Sequence, residues 1–498
     1  MLEAPLFPYD LLSADTFPES ILLVLVVLDW TVRLLALGWI PHNRRPSVAL
    51  AWLLAIFLVP VVGLLLFLVI GSARLPKNRM AMQARMNDVI RENSPGSPVL
   101  GNTLEQLPAW IESTAALNYR LGALPMVGGN SFEIRTDNHE ALRLMAEAVD
   151  RAEDYVHFEF YIVAFDDTSR VLLDALVRAH ERGVRVRVLI DHLGSVGYPG
   201  YRALVRHFDR SGFPWQRMLP VRPWKGEWQR PDLRNHRKIL VVDGEVAWTG
   251  SQNVIHRSYN KRRNVRKDLQ WKDLMIECRG PVVAELNALF TGDWYSETGD
   301  LLLDEATGEL PGVEGPVFAQ VLPSGPGFET ENNLRLFNHL IYNANRQIVI
   351  ASPYFVPDES LMHALTTEAQ SGVDVQLFVG ETSDHFLAYH AQNSYYQALA
   401  EAGVKIYRYR SPTVLHAKFV LVDDYVSVIG SSNMDERSFA LDLEVSVYIV
   451  DREFRRRMDA VVAQFHEAST LLDLEEWKRR PLWRKYVDNV ARLTSALL

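Results

Sequence analysis

The chain has 498 residues, 48% of them hydrophobic and 23% charged, enough for more than one packed core and too apolar for a disordered chain. Its formal charge of −9 excludes the broadly basic surface that binds a nucleic-acid backbone. The lone cysteine, Cys278, excludes an intrachain disulfide framework and a Cys-rich metal site, so a reduced, cytoplasm-facing setting fits.

Residues 21–40 and 48–70 are almost wholly apolar, each near the ~20 residues of a bilayer-crossing helix. Residues 1–75 therefore predict an N-terminal two-helix transmembrane hairpin. A cleavable signal peptide fits less well, because Glu3, Asp10, Asp15 and Glu19 precede Ile21 without any Lys or Arg, and a second apolar run follows. Asp29 and Arg33, four apart, predict a structural ion pair on one helix face. Arg74, Lys77, Arg79 and Arg85 follow the second run and, by the positive-inside rule, favour a cytoplasmic main body. A linker is expected over 76–104.

Beyond it the chain repeats itself. His236-Arg-Lys238-Ile-Leu-Val-Val-Asp243 returns as His416-Ala-Lys418-Phe-Val-Leu-Val-Asp423, 416 − 236 = 180 residues later. Gly250-Ser251-Gln252-Asn253 and Gly430-Ser431-Ser432-Asn433 follow in the same frame. Upstream, Phe158-Glu-Phe-Tyr161 and Ser352-Pro-Tyr354-Phe each precede a helical stretch and a second apolar strand, the pattern of a βαβ unit. Two α/β domains are expected, 105–300 and 315–470, joined by an acidic linker over 301–314.

After each His, an apolar run, a turn signal and a second apolar run predict a hairpin, with two-residue turns at Asp243-Gly244 and Asp423-Asp424. Pairing outward from those turns sets His236 opposite Ser251 and His416 opposite Ser431. Alternation then gathers a polar quartet in each repeat: His236, Lys238, Ser251, Asn253 and His416, Lys418, Ser431, Asn433.

Such a quartet offers a nucleophile or base and several donors, but no anionic cluster to hold a divalent metal. It suits a phosphate diester. Lys238 and Lys418 supply point charges, and Ser251, Asn253, Ser431 and Asn433 are expected to donate to the phosphate oxygens. One imidazole attacks phosphorus while the other protonates the leaving alkoxide, a division that predicts a bell-shaped pH dependence. Each imidazole needs an orienting acceptor: Glu444 is expected for His416, and Asp273, with Glu277 as a fallback, for His236. The motif aspartates Asp243 and Asp423 fall at the turns, where they organise loops and do not touch phosphorus.

His-x-Lys-x4-Asp followed by Gly-Ser-x-Asn, twice in one chain, resembles the phospholipase D superfamily over most of residues 105–470. The two N-terminal apolar runs, Arg44-Arg45, Asn235-His236-Arg237-Lys238 and Asp435-Glu-Arg-Ser438 are similar to the bacterial cardiolipin synthases within it. The resemblance implies two phospholipase D-like α/β domains related by an internal repeat. It implies His236, Lys238, Asp243, His416, Lys418 and Asp423 as the catalytic motif residues, with His236 forming a phosphohistidine and His416 serving as acid and then base. It further implies phosphatidyl transfer between two phosphatidylglycerol molecules, giving cardiolipin and glycerol, without a cofactor or metal, at the bacterial inner membrane. Water or another alcohol as acceptor is the nearest alternative, and a nuclease is disfavoured by the apolar runs and the acidic charge.

Three further segments fit a lipid substrate or an ordinary surface equally: Lys261, Arg262, Arg263, Arg266 and Lys267; Trp215, Trp224 and Trp228; and an amphipathic tail over 471–498. The tail carries Trp477, Lys478, Arg479, Arg480, Leu482, Trp483, Arg484 and Lys485, a composition suited to an anionic headgroup layer or to a solvated terminal helix.

Overall fold

The computed structural model describes residues 19–42, 44, 46–71, 75–93, 107–306, 312–328 and 331–493. Glu3, Asp10, Asp15, Arg45, Arg74, parts of both expected linkers and the last five residues of the tail lie outside them. The chain divides into two compact units, Met1–Ala73 and Arg74–Leu498.

In the first unit the helix Glu19–Trp39 carries the expected ion pair, Arg33 Nε to Asp29 at 2.9 Å. The second apolar run is not the single helix expected over 48–70. It forms two, Pro46–Leu58 and Pro60–Ile70. Pro60 has no N–H to continue the first helix and fixes the start of the next. The chain bends back there, bringing the Trp52 and Phe67 rings to 5.5 Å, edge to face. Gly63 permits the approach, since a Cβ would meet the Ala55 carbonyl oxygen at 2.5 Å. At 1.5 Å per residue these helices are about 20 and 17 Å long, short of the ~30 Å hydrocarbon layer. Among the described residues no helix is long and apolar enough to cross a membrane. Ala36, Ile40, Ala49, Ile56 and Phe67 form a small core, while Leu23, Leu35, Leu50, Leu58 and Val61 stand exposed.

In the second unit both repeats share one mixed sheet. From one edge the first half runs Trp215–Met218, Arg185–Asp191, Tyr155–Phe160, Lys238–Val242, Val246–Gly250, Met275–Arg279 and Val127–Arg135. The second half mirrors it outward from Val317–Ser324 through Asp442–Val450, Val426–Gly430, Phe419–Val422, Gln347–Ala351 and Asp374–Gly380 to Lys405–Tyr409. Val127–Arg135 pairs antiparallel with Val317–Ser324, so the halves meet about a pseudo-twofold at the sheet centre. The central strands are buried throughout, which explains why 238–242 continues after Lys238 as an unbroken apolar run, while the alternating strand 155–160 buries His157 and Glu159 as well as its apolar face. One core cluster takes Ile239, Ala247, Ile276, Leu421, Ile429 and Val447 from both halves. Helices such as Arg170–Glu181 bury Leu172, Leu173, Leu176 and Ala179 at helical spacing and cover the faces.

The hairpins form with a register one residue away from that expected. Val242 pairs with Val246 and Val422 with Val426, so the loops have three residues. Asp243 at φ 52° and Gly244 at φ 70° turn the first, and Asp423 at φ 49° the second. Asp enters the left-handed region more readily than most residues, and here each carboxylate is held by backbone N–H groups at the start of a neighbouring strand. That of Asp243 accepts the N–H groups of Glu153, Asp154 and Tyr155 at 2.8–2.9 Å. Asp423 accepts those of Arg346 and Gln347 at 2.8 and 3.1 Å. Both aspartates therefore tie a hairpin turn to the start of the neighbouring strand. The four-to-five-residue strands separate them from the Lys residues by roughly 15 Å at ~3.3 Å per residue.

Candidate active site

Just before each His the chain crosses to the other half. Arg234–Asn235 pairs in parallel with Asp442 and Leu443, and the His236 N–H donates to the Leu443 carbonyl at 2.8 Å. Thr413–Leu415 pairs in parallel with Gln270–Lys272, and the His416 N–H donates to the Lys272 carbonyl at 2.8 Å. The residue after each of those carbonyls is an acid. His236 Nδ1 lies 3.0 Å from Glu444 Oε1, and His416 Nδ1 lies 2.6 Å from Asp273 Oδ1.

The expected partners are therefore exchanged: Glu444 serves His236 and Asp273 serves His416. The in-repeat assignment fails because each crossing strand delivers its His to the opposite carboxylate. Glu277 approaches neither, pairing instead with Arg135 and Arg279. With carboxylates on Nδ1, both rings carry a proton there, which leaves Nε2 with its lone pair.

The serines differ from expectation as well. Ser251 Oγ donates to Asp273 Oδ1 at 2.8 Å, and Ser431 Oγ donates to Glu444. A hydroxyl has one proton to donate, so these serines hold the orienting carboxylates in place of donating to phosphate. Asn253 accepts the Ile162 N–H at 3.1 Å and donates to Tyr259 Oη at 2.8 Å, leaving one amide hydrogen. The Asn433 carbonyl oxygen is buried without a hydrogen-bond partner among the described residues. Each motif lysine donates back to the carbonyl of the histidine two residues before it, Lys238 to His236 and Lys418 to His416, the latter at 2.7 Å.

The two histidines, two lysines and two acids are all buried, and burial is the largest single influence on the proton affinity of each. It lowers His236 to about 4 against the pull of Glu444, and lowers His416, with Lys418 adding to the effect. It lowers Lys238 to about 7 and Lys418 to about 8, despite nearby carboxylates. Burial alone would raise the two acids, but His416 and Lys418 hold Asp273 at about 2, and His236 and Lys238 hold Glu444 below the usual range. Lys418 acts on Lys238 and His236 across the repeat boundary, so two half-sites act as one.

Several residues of the site carried no label in the sequence. Tyr161 packs edge-on against His236 with ring centroids 4.7 Å apart, and Lys238 Nζ sits 5.3 Å from its ring centre. Tyr259 stands 6.3 Å from the His416 ring. Asp191 accepts the Asn235 N–H at 2.9 Å and fixes the approach to His236. Burial raises Asp442 to about 7 beside Arg437. Tyr161 and Tyr354 could have been found, because they occupy matching places in the two repeats. Tyr259 lies just before the basic segment 261–267, in a stretch between Asn253 and Asp273 that is longer than its counterpart between Asn433 and Glu444. In that segment Arg262–Arg266 is a short helix and Lys261 Nζ lies 4.3 Å from the Tyr198 ring centre. Trp224 and Trp228 are exposed, whereas Trp215 is half-buried under Arg217.

A family model described as cardiolipin synthase, PLD-like domain, matches residues 145–294 and 337–466. The cardiolipin synthase of Geobacillus kaustophilus is 32% identical over 479 residues, 95% of this chain and 93% of that one. That of Alkalihalophilus pseudofirmus is 31% identical over 461 residues, 92% of this chain and 90% of that one. Cardiolipin synthase A of Proteus mirabilis is 31% identical over 473 residues, 92% of this chain and 94% of that one. Among solved structures, phosphatidylserine synthase of Haemophilus influenzae Rd KW20 shares the fold, with TM-score 0.59 at 15% identity, covering 77% of this chain and 99% of that chain. Two matched blocks, each holding one His-x-Lys-x4-Asp motif, and relatives aligned over nine-tenths of their length place the chain in the cardiolipin synthase family of phospholipase D-like proteins.

Proposed function

We propose that the protein is a phosphatidyltransferase that joins two phosphatidylglycerol molecules into cardiolipin and releases glycerol. The observation that carries this reading is the crossed pair of imidazole–carboxylate contacts, which brings two His-Lys sets to one buried site. His236 Nε2 attacks the phosphorus of the donor lipid, forming a P–N bond as the P–O bond to glycerol breaks. His416 gives that oxygen its proton. The second lipid's glycerol hydroxyl then attacks the phosphohistidine, His416 takes the hydroxyl proton, and the P–N bond breaks to free His236.

Lys238 and Lys418 stabilise the charge on the non-bridging oxygens, assisted by the remaining amide hydrogens of Asn253 and Asn433. Burial holds both histidines toward the neutral form, so His236 is ready to attack. The bound phosphodiester anion offsets the lysine charges and raises His416 toward the protonated form that an acid needs. Asp243 and Asp423 keep the two strands of each motif in place.

The first unit holds the chain at a membrane through the exposed leucines and valines of its three helices, with the Asp29–Arg33 pair lowering the cost of burying both charges. We place the second unit, built from the halves 105–300 and 315–470, on the cytoplasmic side. Lys77 supports that side. Arg79 contributes less than its charge suggests, because it forms a two-pronged contact of 2.6 Å with Glu297.

The test is to give the purified protein phosphatidylglycerol alone in detergent micelles and identify the products by mass spectrometry. Cardiolipin and glycerol in equal amounts are expected. Phosphatidic acid without cardiolipin would assign the acceptor role to water and overturn the reading.

A further inference from the structure

The helix Leu482–Arg492 sits on the second unit with its faces reversed relative to an ordinary core-packing helix. Its buried residues are Asp488 and Ala491. Asp488 accepts from His390 Nδ1 at 2.7 Å and from Arg480 Nη1 at 2.9 Å, so a carboxylate fastens the helix to its neighbour Phe386–Asn393. The apolar side chains face outward. Leu482 is 82% exposed, Trp483 63%, Tyr486 70%, Val490 46% and Leu493 84%. Positions 482, 486, 490 and 493 follow the i, i+4, i+8, i+11 spacing of one helix face, with 483 at its margin. An amphipathic helix normally hides such a stripe against its own core.

Phe386 and Leu387, on the neighbouring helix, are also exposed. Trp477 does not belong to the stripe, being buried with Arg480 3.4 Å from its ring centre. Arg479 and Arg484 are exposed near the stripe, and Lys485 is half-buried beside it. The helix's only acid, Asp488, is buried and paired, so this face is cationic on a chain whose net charge is −9. Outward Leu, Trp and Tyr flanked by Arg and Lys match the layering of an anionic lipid surface, with acyl chains beneath phosphates. Phe386 follows shortly after Asp384, which accepts the Tyr354 hydroxyl at 2.6 Å and whose charge reaches Lys418.

We propose that the Leu482–Arg492 stripe, with Phe386 and Leu387, is a lipid-contact surface that docks the second unit onto an anionic bilayer. The proposal rests on the lipid-directed reading above for its choice of surface, but its test does not use turnover. The full chain carrying Tyr486→Cys is labelled with bimane, which spares the buried Cys278, and reconstituted into phosphatidylcholine vesicles with and without phosphatidylglycerol. A Glu181→Cys label on an exposed helix position is the control.

The label at 486 is expected to shift to the blue, to lose most of its quenching by iodide and to gain quenching by brominated acyl chains, more so with phosphatidylglycerol. The label at 181 stays open to iodide. Full iodide quenching at 486 in both vesicles would overturn the proposal, as would equal shielding at 486 and 181. Shielding that appears in detergent and grows with protein concentration would assign the face to a second copy and also overturn it. Failure of the synthase reading is separate, since it appears only as missing cardiolipin.

Discussion

His236 Nδ1 rests 3.0 Å from Oε1 of Glu444, 208 positions further along the chain and in the other repeat. Its counterpart, His416 against Asp273, closes the exchange from the opposite side. Neither repeat holds a complete site. Each supplies the histidine for one half-site and the carboxylate for the other.

Removing either orienting carboxylate should lower turnover without unfolding the chain. Glu444→Gln and Asp273→Asn are each expected to reduce kcat on the order of 10²–10⁴-fold, as loss of the third group of a triad does. KM should move far less. Glu277→Gln, outside the exchange, should stay near wild type. Steady-state kinetics with circular dichroism checks this, and a large KM effect with unchanged kcat would contradict positioning of the imidazoles.

The pH profile should be bell-shaped, but its alkaline side belongs to the lysines. As pH falls through about 4, His236 gains a proton and loses its lone pair. As pH rises through about 7 and 8, Lys238 and Lys418 lose the charges that stabilise the phosphoryl oxygens. kcat/KM, which reports the free enzyme, should therefore fall on both sides. Lys238→Arg should retain measurable activity and shift the alkaline limb upward, since a guanidinium does not titrate there. An alkaline limb unmoved by that substitution would contradict the assignment.

Asp243 and Asp423 should behave as structural residues. Asp243→Ala leaves three backbone N–H groups without their acceptor, and Asp423→Ala removes the equivalent contacts. Each is expected to cost about 1–3 kcal/mol of stability. Urea denaturation measures that loss. Activity per folded molecule should remain within about tenfold of wild type, against near-complete loss for His236→Ala or His416→Ala.

Two buried lysines stand where a cation would otherwise neutralise the phosphate. Treatment with EDTA should therefore leave turnover within about twofold of the untreated enzyme. A large loss restored by a divalent ion would contradict this role for Lys238 and Lys418.

Much of the fold was legible because the His-x-Lys-x4-Asp and Gly-Ser-x-Asn blocks recur at fixed spacing, which places a hairpin after each histidine. The register was not legible to the residue. Whether Asp243 and Asp423 adopt a left-handed backbone depends on N–H groups from the segments before residues 155 and 347, far away in sequence. The exchange of Glu444 and Asp273 was hidden for a related reason. A repeat shows that two histidines and two carboxylates exist, but their pairing is decided by the short parallel strands 234–235 and 413–415 that cross the pseudo-twofold. Ser251 and Ser431 reach those carboxylates within their own repeats, through the pairing of 246–250 with 275–279 and of 426–430 with 442–450. Pro60 was visible in the second apolar run, yet hydropathy alone does not register the bend it makes.

The most direct test of the covalent, two-histidine account is a rapid-quench experiment on the full chain with phosphatidylglycerol. The reaction is stopped in alkali, which preserves a phosphohistidine, and the protein is digested and mapped by mass spectrometry. The account predicts a phosphatidyl adduct on the peptide containing His236, accumulating in His416→Ala as transfer to the acceptor is blocked. An adduct on neither histidine, or product formation by His236→Ala at the wild-type rate, would contradict it.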